Sequence, residues 1–191
     1  MPRQLKRETV RQHDTQMREL RSQILRELAL ALTPDGWRLH ESIQSLHRVR
    51  HRTTEALHVT FVRHRSELDF TLDVAIRFAE VETILNAQRP WLSQREAAAT
   101  FSVGAELGNI TGAGNHQWTV AAAADVPSAA HAALDMFRRV GAPFLERFSS
   151  LQEVQRALRA EKAEAALIAP VAEQRRELLA AVSRVLDGRA A

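Results

Sequence analysis

The sequence contains neither cysteine nor tyrosine. Without cysteine the chain can form no disulfide, no thiolate metal site and no iron–sulfur cluster, and it has no cysteine nucleophile. Without tyrosine it has no phenolic hydroxyl for acid–base chemistry. Several large classes of enzyme and electron-transfer protein are therefore excluded before any pattern in the sequence is considered.

Long apolar runs are also missing. No stretch of the sequence approaches the roughly 20 apolar residues that a membrane-spanning helix needs. The N-terminal segment MPRQLKRETVRQHDTQ is basic, but no apolar segment follows it as it would in a secretory signal. Glu8 and Asp14 also disagree with an organellar transit peptide, which avoids acidic residues. We therefore expect a cytoplasmic protein with no membrane partner.

Neither sign of charge is in large excess. The chain has 26 Lys and Arg against 23 Asp and Glu, and its formal net charge is +3, although the sequence pI is about 10.4. The high pI follows from the strong basicity of arginine, because only Lys6 and Lys162 are lysines. This balance favours an anionic partner only weakly. With 191 residues, 45% of them hydrophobic, the chain is long enough for one folded domain with a full core.

The most informative pattern is a pair of alternating segments, Leu57–Phe61 and Leu68–Phe78. Apolar residues recur there at every second position, and polar residues such as Asp69 lie between them. A period of two predicts β-strands with one buried and one wet face, as in an antiparallel sheet covered on one side. Asp69 is expected on the wet face, where a substitution has little effect on stability.

A short turn at residues 64–67 would join these two strands and fix their register. In that register the apolar faces of both strands coincide, which supports the pairing. The predicted pairs are Phe61/Phe70, Val59/Leu72 and Leu57/Val74 on the inner face, and Thr60/Thr71 and His58/Asp73 on the outer face.

Other segments predict further strands and helices around this pair. Residues 37–52 fit either a strand or a helix, and we interpret them as a strand. The alternating residues 101–107 and the segment 118–124 add two strands, joined by a hairpin loop at Gly112–Asn115. Gly141 and Pro143 are expected to kink or break the helix that follows.

These elements predict an α+β fold. We expect an antiparallel sheet of about five strands in a meander, with helices packed on one face and a C-terminal helical extension. The α+β domain should cover residues 1–160, and the helical extension residues 161–191.

Several motifs resemble those of a group of bacterial α+β domains of unknown function. The shared features are Gly36-Trp37 after the first helix, Val81 after the third strand, Trp118 in the last strand, and the segments 116–126 (HQWTVAAAADV) and 143–158 (PFLERFSSLQEVQRAL). Similar domains are often found among suspected immunity proteins of bacterial toxin systems. The resemblance covers roughly residues 20–160 and implies the fold, together with a role in binding and neutralising a partner protein. Immunity proteins against nucleases are usually acidic, whereas this chain is basic.

The histidines and glycines do not predict a metal or cofactor site. His47 and His51 could share a metal on a helix, but the glutamate of the metalloprotease pattern is absent. On a strand they would lie about 13 Å apart, too far to share one ion. The glycine-rich segment 108–115 lacks the Lys-Ser/Thr of a P-loop and precedes a strand instead of a helix. We predict no metal and no cofactor.

The predicted cross-strand pair of His58 and Asp73 is the one arrangement that suggests catalysis. A His–Asp pair can orient a general base. The hydroxyls nearby belong to Thr60 and Thr71, which lie on regular strands without the sharp turn of a nucleophile motif. We therefore interpret the pair as a surface ion pair, keep a hydrolase as the least favoured hypothesis, and predict that the protein is not an enzyme.

The remaining features favour binding of a partner. Two arginine-rich segments, 47–52 and 63–65, lie at opposite ends of a meandering sheet, so they do not merge into one basic patch. Trp91 lies beside Pro90 in a polar loop and could anchor a partner. We predict a non-enzymatic protein-interaction module, with nucleic-acid binding through the arginine-rich strand ends as the alternative. The candidate partner-binding residues are Trp91, Arg48, Arg50, Arg52, Arg63, Arg65, His58 and Asp73.

Overall fold

The computed structural model describes the backbone of residues 2–160 and 162–190, and the side chains of residues 13–160 and 163–188. The strands are β1 Arg38–His40, β2 Ser45–Arg50, β3 Thr53–Arg63, β4 Leu68–Phe78, β5 Val103–Glu106 and β6 Trp118–Val120. The helices are α1 Pro2–Leu32, α2 Ala79–Asn86, α3 Gln94–Ala98, α4 Leu107–Ile110, α5 Val126–Met136, α6 Ala142–Phe148, α7 Leu151–Arg159, α8 Lys162–Ile168 and α9 Ala172–Ala190. Short 3₁₀ turns cover Thr33–Asp35, Glu41–Ile43 and Ala123–Asp125, and a π-helical turn covers Phe137–Gly141. None of the described helices is long and apolar enough to cross a bilayer.

The six strands form one antiparallel sheet in the order β1-β2-β3-β4-β5, and β6 pairs with the start of β4. The predicted α+β fold with a meandering sheet is confirmed. β3 and β4 pair over eleven residues in the predicted register, with Phe61 opposite Phe70 and His58 opposite Asp73. Residues 37–52 contain β1 and β2, so their interpretation as extended chain is also confirmed.

The inner face of β3 and β4 carries the hydrophobic core. On this face the buried residues are Leu57, Val59, Phe70, Leu72, Val74 and Ile76. Helices cover this face, since α1 contacts β1 and β3 and α6 contacts β4. α1 provides much of the contact, and its buried residues are Met17, Leu20, Ile24, Leu25, Leu28 and Leu32.

A buried ion pair interrupts this apolar face. Glu55 on β3 is fully buried, and its Oε2 accepts hydrogen bonds from Nε and Nη2 of Arg48 at 2.8 and 2.6 Å. The Arg48 guanidinium also lies 4.8 Å from the centre of the Trp37 ring, and Trp37 meets Phe137 edge-to-face at 5.6 Å. Removing either partner would leave a buried charge without compensation, which is strongly destabilising.

Gly141 and Pro143, which were expected to kink or break the helix that follows Asp125, lie where a π-helical turn interrupts it. The π-helical turn at Phe137–Gly141 joins α5 to α6, and the helical run continues through Pro143. A π turn relaxes the local hydrogen-bond ladder, which accommodates the missing N–H of proline. A Cβ on Gly141 would lie 2.8 Å from Phe137 Cδ2 and 3.1 Å from Val74 Cγ1, so glycine permits the close approach of this turn to the sheet.

β5 and β6 do not form the hairpin predicted at Gly112–Asn115. Both strands pair with β4, β5 along Asp73–Ile76 and β6 along Leu68–Phe70, so they lie end to end on one edge of that strand. Between them the chain forms α4 and a loop. A Cβ on Gly108 would lie 2.0 Å from the carbonyl oxygen of Gly114, so only glycine allows the loop to fold back this closely.

The C-terminal helices pack against the rest of the structure. α9 contacts α2 and α7, and α8 contacts β5. Leu178, Ala181 and Val182 of α9 are buried in these contacts. The domain boundary at residue 160 stays a prediction.

Asp69 lies on the outer face as predicted, but it is buried. Its Oδ2 is 2.8 Å from His64 Nε2, and its Oδ1 accepts a hydrogen bond from the Thr119 hydroxyl at 2.7 Å. The carboxylate thus ties the β3–β4 turn and β6 to β4. The expectation that Asp69 tolerates substitution was wrong, because β6 covers this end of the outer face.

We expect Phe70→Ala to lower the free energy of unfolding by about 3–5 kcal/mol, because it removes a fully buried ring from the core. The control, Val62→Thr, lies on the exposed outer face of β3 and should change it by less than about 0.5 kcal/mol. Urea denaturation of both variants measures the difference. Equal losses would contradict the assignment of the two faces.

We expect Asp69→Ala to lower the free energy of unfolding by about 1–3 kcal/mol, because two hydrogen-bond partners lose their acceptor. The matched control is Asp135→Ala on exposed α5, which should stay within about 0.5 kcal/mol of the parent. The same denaturation experiment compares them. An Asp69→Ala variant as stable as the control would show that this carboxylate does not hold β6.

Candidate functional site

The outer face of the sheet is polar and partly open. Side chains alternate along each strand, so the residues between the core positions share this second face. Val49 is 77% exposed there, and Thr60 and Val62 are also exposed. The helices of the inner face leave part of this surface open, and α8 lies over its β5 end.

One row of cross-strand partners crosses the outer face from β1 to β5. Each member lies directly opposite the next in the strand pairing. The row consists of His40, Ser45, His58, Asp73 and Glu106. The sequence predicted only the central pair, because the register of β1 and β5 is set by contacts outside the β3–β4 hairpin.

A cleft of about 1150 Å³ opens over the β5 end of this row. It lies between the outer face of β4 and β5, the segment 100–112, and α8 with the start of α9. Its polar lining includes His58, Asp73, Arg89, Thr100, Glu106, Asn109 and Thr111. Phe101 and the apolar residues of α8 supply much of the remaining wall. This volume is large enough for a small molecule or for a side chain of a partner protein.

Two carboxyl groups face the cleft from adjacent strands. Burial and the neighbouring Glu106 carboxylate raise the pKa of Asp73, and a hydrogen bond with Thr60 acts in the opposite direction. Glu106 is held in place because its Oε2 accepts the Asn109 N–H at 3.0 Å and its Oε1 accepts the His116 N–H at 3.2 Å. Neither carboxylate forms an ion pair within the part of the chain that the structure describes.

Three histidines and Phe101 form an aromatic cluster beside the carboxyl pair. The ring centres of His58 and Phe101 lie 5.0 Å apart, those of His47 and Phe101 5.8 Å, and those of His40 and His47 4.6 Å. Burial lowers the pKa of His58, and burial together with His40 and His58 lowers the pKa of His47 to about 4. The rings of His47 and His58 are therefore neutral near pH 7.

His58 and Asp73 are neighbours, but they do not form the predicted ion pair. The pKa of His58 is lowered and that of Asp73 is raised, whereas an ion pair would shift both in the opposite directions. Among the described side chains no hydrogen bond joins the two residues. His51 lies apart, in the β2–β3 turn with φ of 55°. Across the described residues, no three His, Asp or Glu side chains are placed to hold a metal ion.

The predicted arginines lie at opposite ends of β3, and most of them are engaged within the chain. Arg48 pairs with buried Glu55 on the helix-covered face and is not on the open surface. The other pairs are Arg50 with Glu146, Arg52 with Glu80 at 3.9 Å, and Arg63 with Asp14 at 2.5 Å. Arg65 lies in the β3–β4 turn, where its carbonyl oxygen is 2.5 Å from His13 Nε2.

Trp91 is 73% exposed in the loop between α2 and α3. This loop borders the cleft, because Arg89 lines it while pairing with Glu177 of α9 at 3.2 Å. A capping box between Ser93 and Glu96 starts α3 and fixes the end of the loop. Trp91 is therefore an exposed indole two residues from the cleft wall.

Comparisons with family models, curated proteins and solved structures find no match to this chain.

We expect the free energy of unfolding to fall as the pH drops from about 6.5 to about 4. In that range the unfolded chain protonates His47 while the folded chain keeps it neutral, so acid favours unfolding. The raised pKa of Asp73 acts in the opposite direction, because the folded state holds that proton to a higher pH.

A His47→Gln variant isolates the contribution of His47 to this pH dependence. Its stability should fall less steeply over the same interval, as measured by urea denaturation at several pH values. His131→Gln, on exposed α5, is the matched control and should follow the parent. Parallel pH profiles for His47→Gln and the parent would contradict the burial of a neutral His47.

Proposed function

We propose that this chain is a non-enzymatic protein-interaction module that binds a partner protein at the cleft of the outer sheet face. The partner inserts a basic side chain between Phe101 and the carboxyl pair of Asp73 and Glu106. The observation that carries the proposal is this pair of carboxyl groups, which face a large cleft and form no ion pair among the described residues, since Arg89 of the lining pairs with Glu177.

Charge complementarity identifies the chemistry of the partner. Two carboxylates held close together and partly buried repel each other, and an ammonium or guanidinium between them relieves that repulsion. The ring of Phe101 adds a surface over which a cation is attracted by the aromatic quadrupole. The neutral imidazole of His58 can accept a further hydrogen bond. An arginine or lysine of the partner fits these groups better than an acidic or apolar side chain does.

Two observations support binding over catalysis. His58 has no hydrogen bond to Asp73, so the carboxylate does not orient it as a general base. The nearby Thr60 hydroxyl lies on a regular strand and is hydrogen-bonded to Asp73. The resemblance to domains found among suspected immunity proteins agrees with this proposal, since such proteins bind and neutralise a partner protein.

The arginine ion pairs support a protein partner over nucleic acid. Contact with several phosphates requires free cationic side chains along one surface. Four of the five candidate arginines have carboxylate partners within the chain, and one of these, Arg48, lies on the helix-covered face. These charges are therefore already compensated.

A small probe tests the proposed cation subsite directly. We expect acetyl-arginine methylamide to shift the backbone amide NMR signals of residues around Asp73, Phe101 and Glu106, and the uncharged isostere acetyl-citrulline methylamide to shift them much less. Asp73→Asn should weaken binding of the arginine probe about tenfold, the typical effect of losing a charge-assisted hydrogen bond. Asp135→Asn is the matched control and should bind as the parent does. Equal effects of the two probes, or of the two variants, would contradict the cation subsite.

A second assay decides between a protein partner and nucleic acid. Fluorescence-anisotropy titrations with duplex DNA and RNA at low and at physiological salt should show only weak binding that the added salt removes. A random peptide library selected on the immobilised protein should enrich basic peptides that no longer bind the Asp73→Asn variant. Tight binding of a duplex that survives salt and is lost on replacing Arg50, Arg52, Arg63 and Arg65 with alanine would overturn the proposal.

A further inference from the structure

A second, smaller pocket lies where α1 crosses the end of β3. Its volume is about 180 Å³, and its lining residues are Asp14, Met17, Arg18, Arg21 and Arg63. The lining thus contains three guanidinium groups and one carboxylate, the reverse of the charge at the cleft. It shares no lining residue with the cleft.

The carboxylate compensates only one of the three cations. Asp14 pairs with Arg63 at 2.5 Å. Neither Arg18 nor Arg21 forms an ion pair within the described part of the chain. Two positive charges therefore face one small concavity without a counter-charge, and this arrangement attracts an anion.

Arg21 is held in place and lacks a hydrogen-bond acceptor. Its guanidinium lies 5.6 Å from the centre of the Phe61 ring, a cation–π contact that restricts the guanidinium plane. Its Nε is shielded from solvent and has no hydrogen-bond partner. A ligand in the pocket would therefore meet Arg21 through its terminal Nη groups, because a water-sized atom does not reach Nε.

Arg63 is fixed by a short chain of contacts. Its Nη2 lies 3.4 Å from Nδ1 of His13, and Nε2 of His13 lies 2.5 Å from the carbonyl oxygen of Arg65. His13 thus bridges the Arg63 guanidinium and the backbone of the β3–β4 turn. The wall of the pocket is therefore positioned before any ligand enters.

We propose that this pocket binds one tetrahedral oxyanion of the phosphate class, either inorganic phosphate or the phosphate group of a small monoester. Arginine suits such a ligand because its planar fork of N–H donors matches two phosphate oxygens. The pocket volume of about 180 Å³ is enough for one phosphate group. This site is independent of the proposed partner-binding cleft.

Arginine side-chain NMR tests the site on the full-length protein. The probe is inorganic phosphate, added to protein labelled with ¹⁵N-arginine, while sodium chloride keeps the ionic strength constant. We expect the Nε–H signal of Arg21 to shift and to saturate with a dissociation constant on the order of 1 mM, a modest affinity for so small a ligand. A shift that does not saturate, or that chloride alone reproduces, would overturn the proposal.

Variants separate a specific site from general charge attraction. Arg18→Gln and Arg21→Gln should each weaken phosphate binding about tenfold, and Arg21→Lys should also weaken it because lysine keeps the charge but loses the fork. Arg26→Gln on exposed α1 removes the same charge and should bind as the parent does. The Arg21 variants lack the Arg21 Nε–H signal, so phosphate binding to them is measured by the broadening of the phosphate ³¹P line. Backbone amide spectra of each variant, compared with those of the parent, show whether the fold is kept. Equal loss in Arg26→Gln would overturn the proposal.

A parallel titration with glycerol phosphate distinguishes the two sources of the ligand. If both compounds bind, the pocket takes phosphate monoesters. If only inorganic phosphate binds, the pocket is closed to an attached group. If neither compound gives a saturable shift, the proposal is wrong.

Discussion

The pairing of β3 with β4 is the constraint on which the rest of the structure depends. Side chains alternate along both strands, so a shift of β4 by one residue would turn Phe70 and Leu72 toward solvent and Asp73 into the core. The same ladder therefore determines the face on which the helices pack and the face on which the cleft forms. The stability of the core and the chemistry of the cleft therefore both depend on the pairing of β3 with β4.

The parts of the fold that the sequence predicted are those encoded by local contacts. The β3–β4 turn is short and both strands alternate regularly, so turn position and periodicity together identify Phe61/Phe70 and His58/Asp73 as partners. The end-to-end placement of β5 and β6 on β4 could not be predicted, because two helices and the loops around them separate β4 from β5 and carry no information on register.

The candidate site was predicted only in part, because some of its residues meet through pairing between strands that are far apart in the sequence. Glu106 joins His58 and Asp73 only through the pairing of β5. Phe101 was assigned to the predicted strand 101–107, but β5 begins at Val103 and Phe101 lies before it, against the histidines. The role of Arg48 was hidden in a run of basic residues, and only the pairing of β2 with β3 places it opposite Glu55.

The π-helical turn at Phe137–Gly141 also affects how this chain can change its length. Each residue of an α-helix advances the rotation by about 100°. A one-residue deletion in the regular part of α5 would therefore rotate everything after it by about that angle, and Phe144 and Leu145, which are buried against the rest of the fold, would face a different direction. A deletion within the π turn differs, because this turn already holds one residue more than an α turn, so its loss can restore a regular helix with the same phase. The turn is thus a place in this helical run where the chain can change its length by one residue while both halves keep their buried faces.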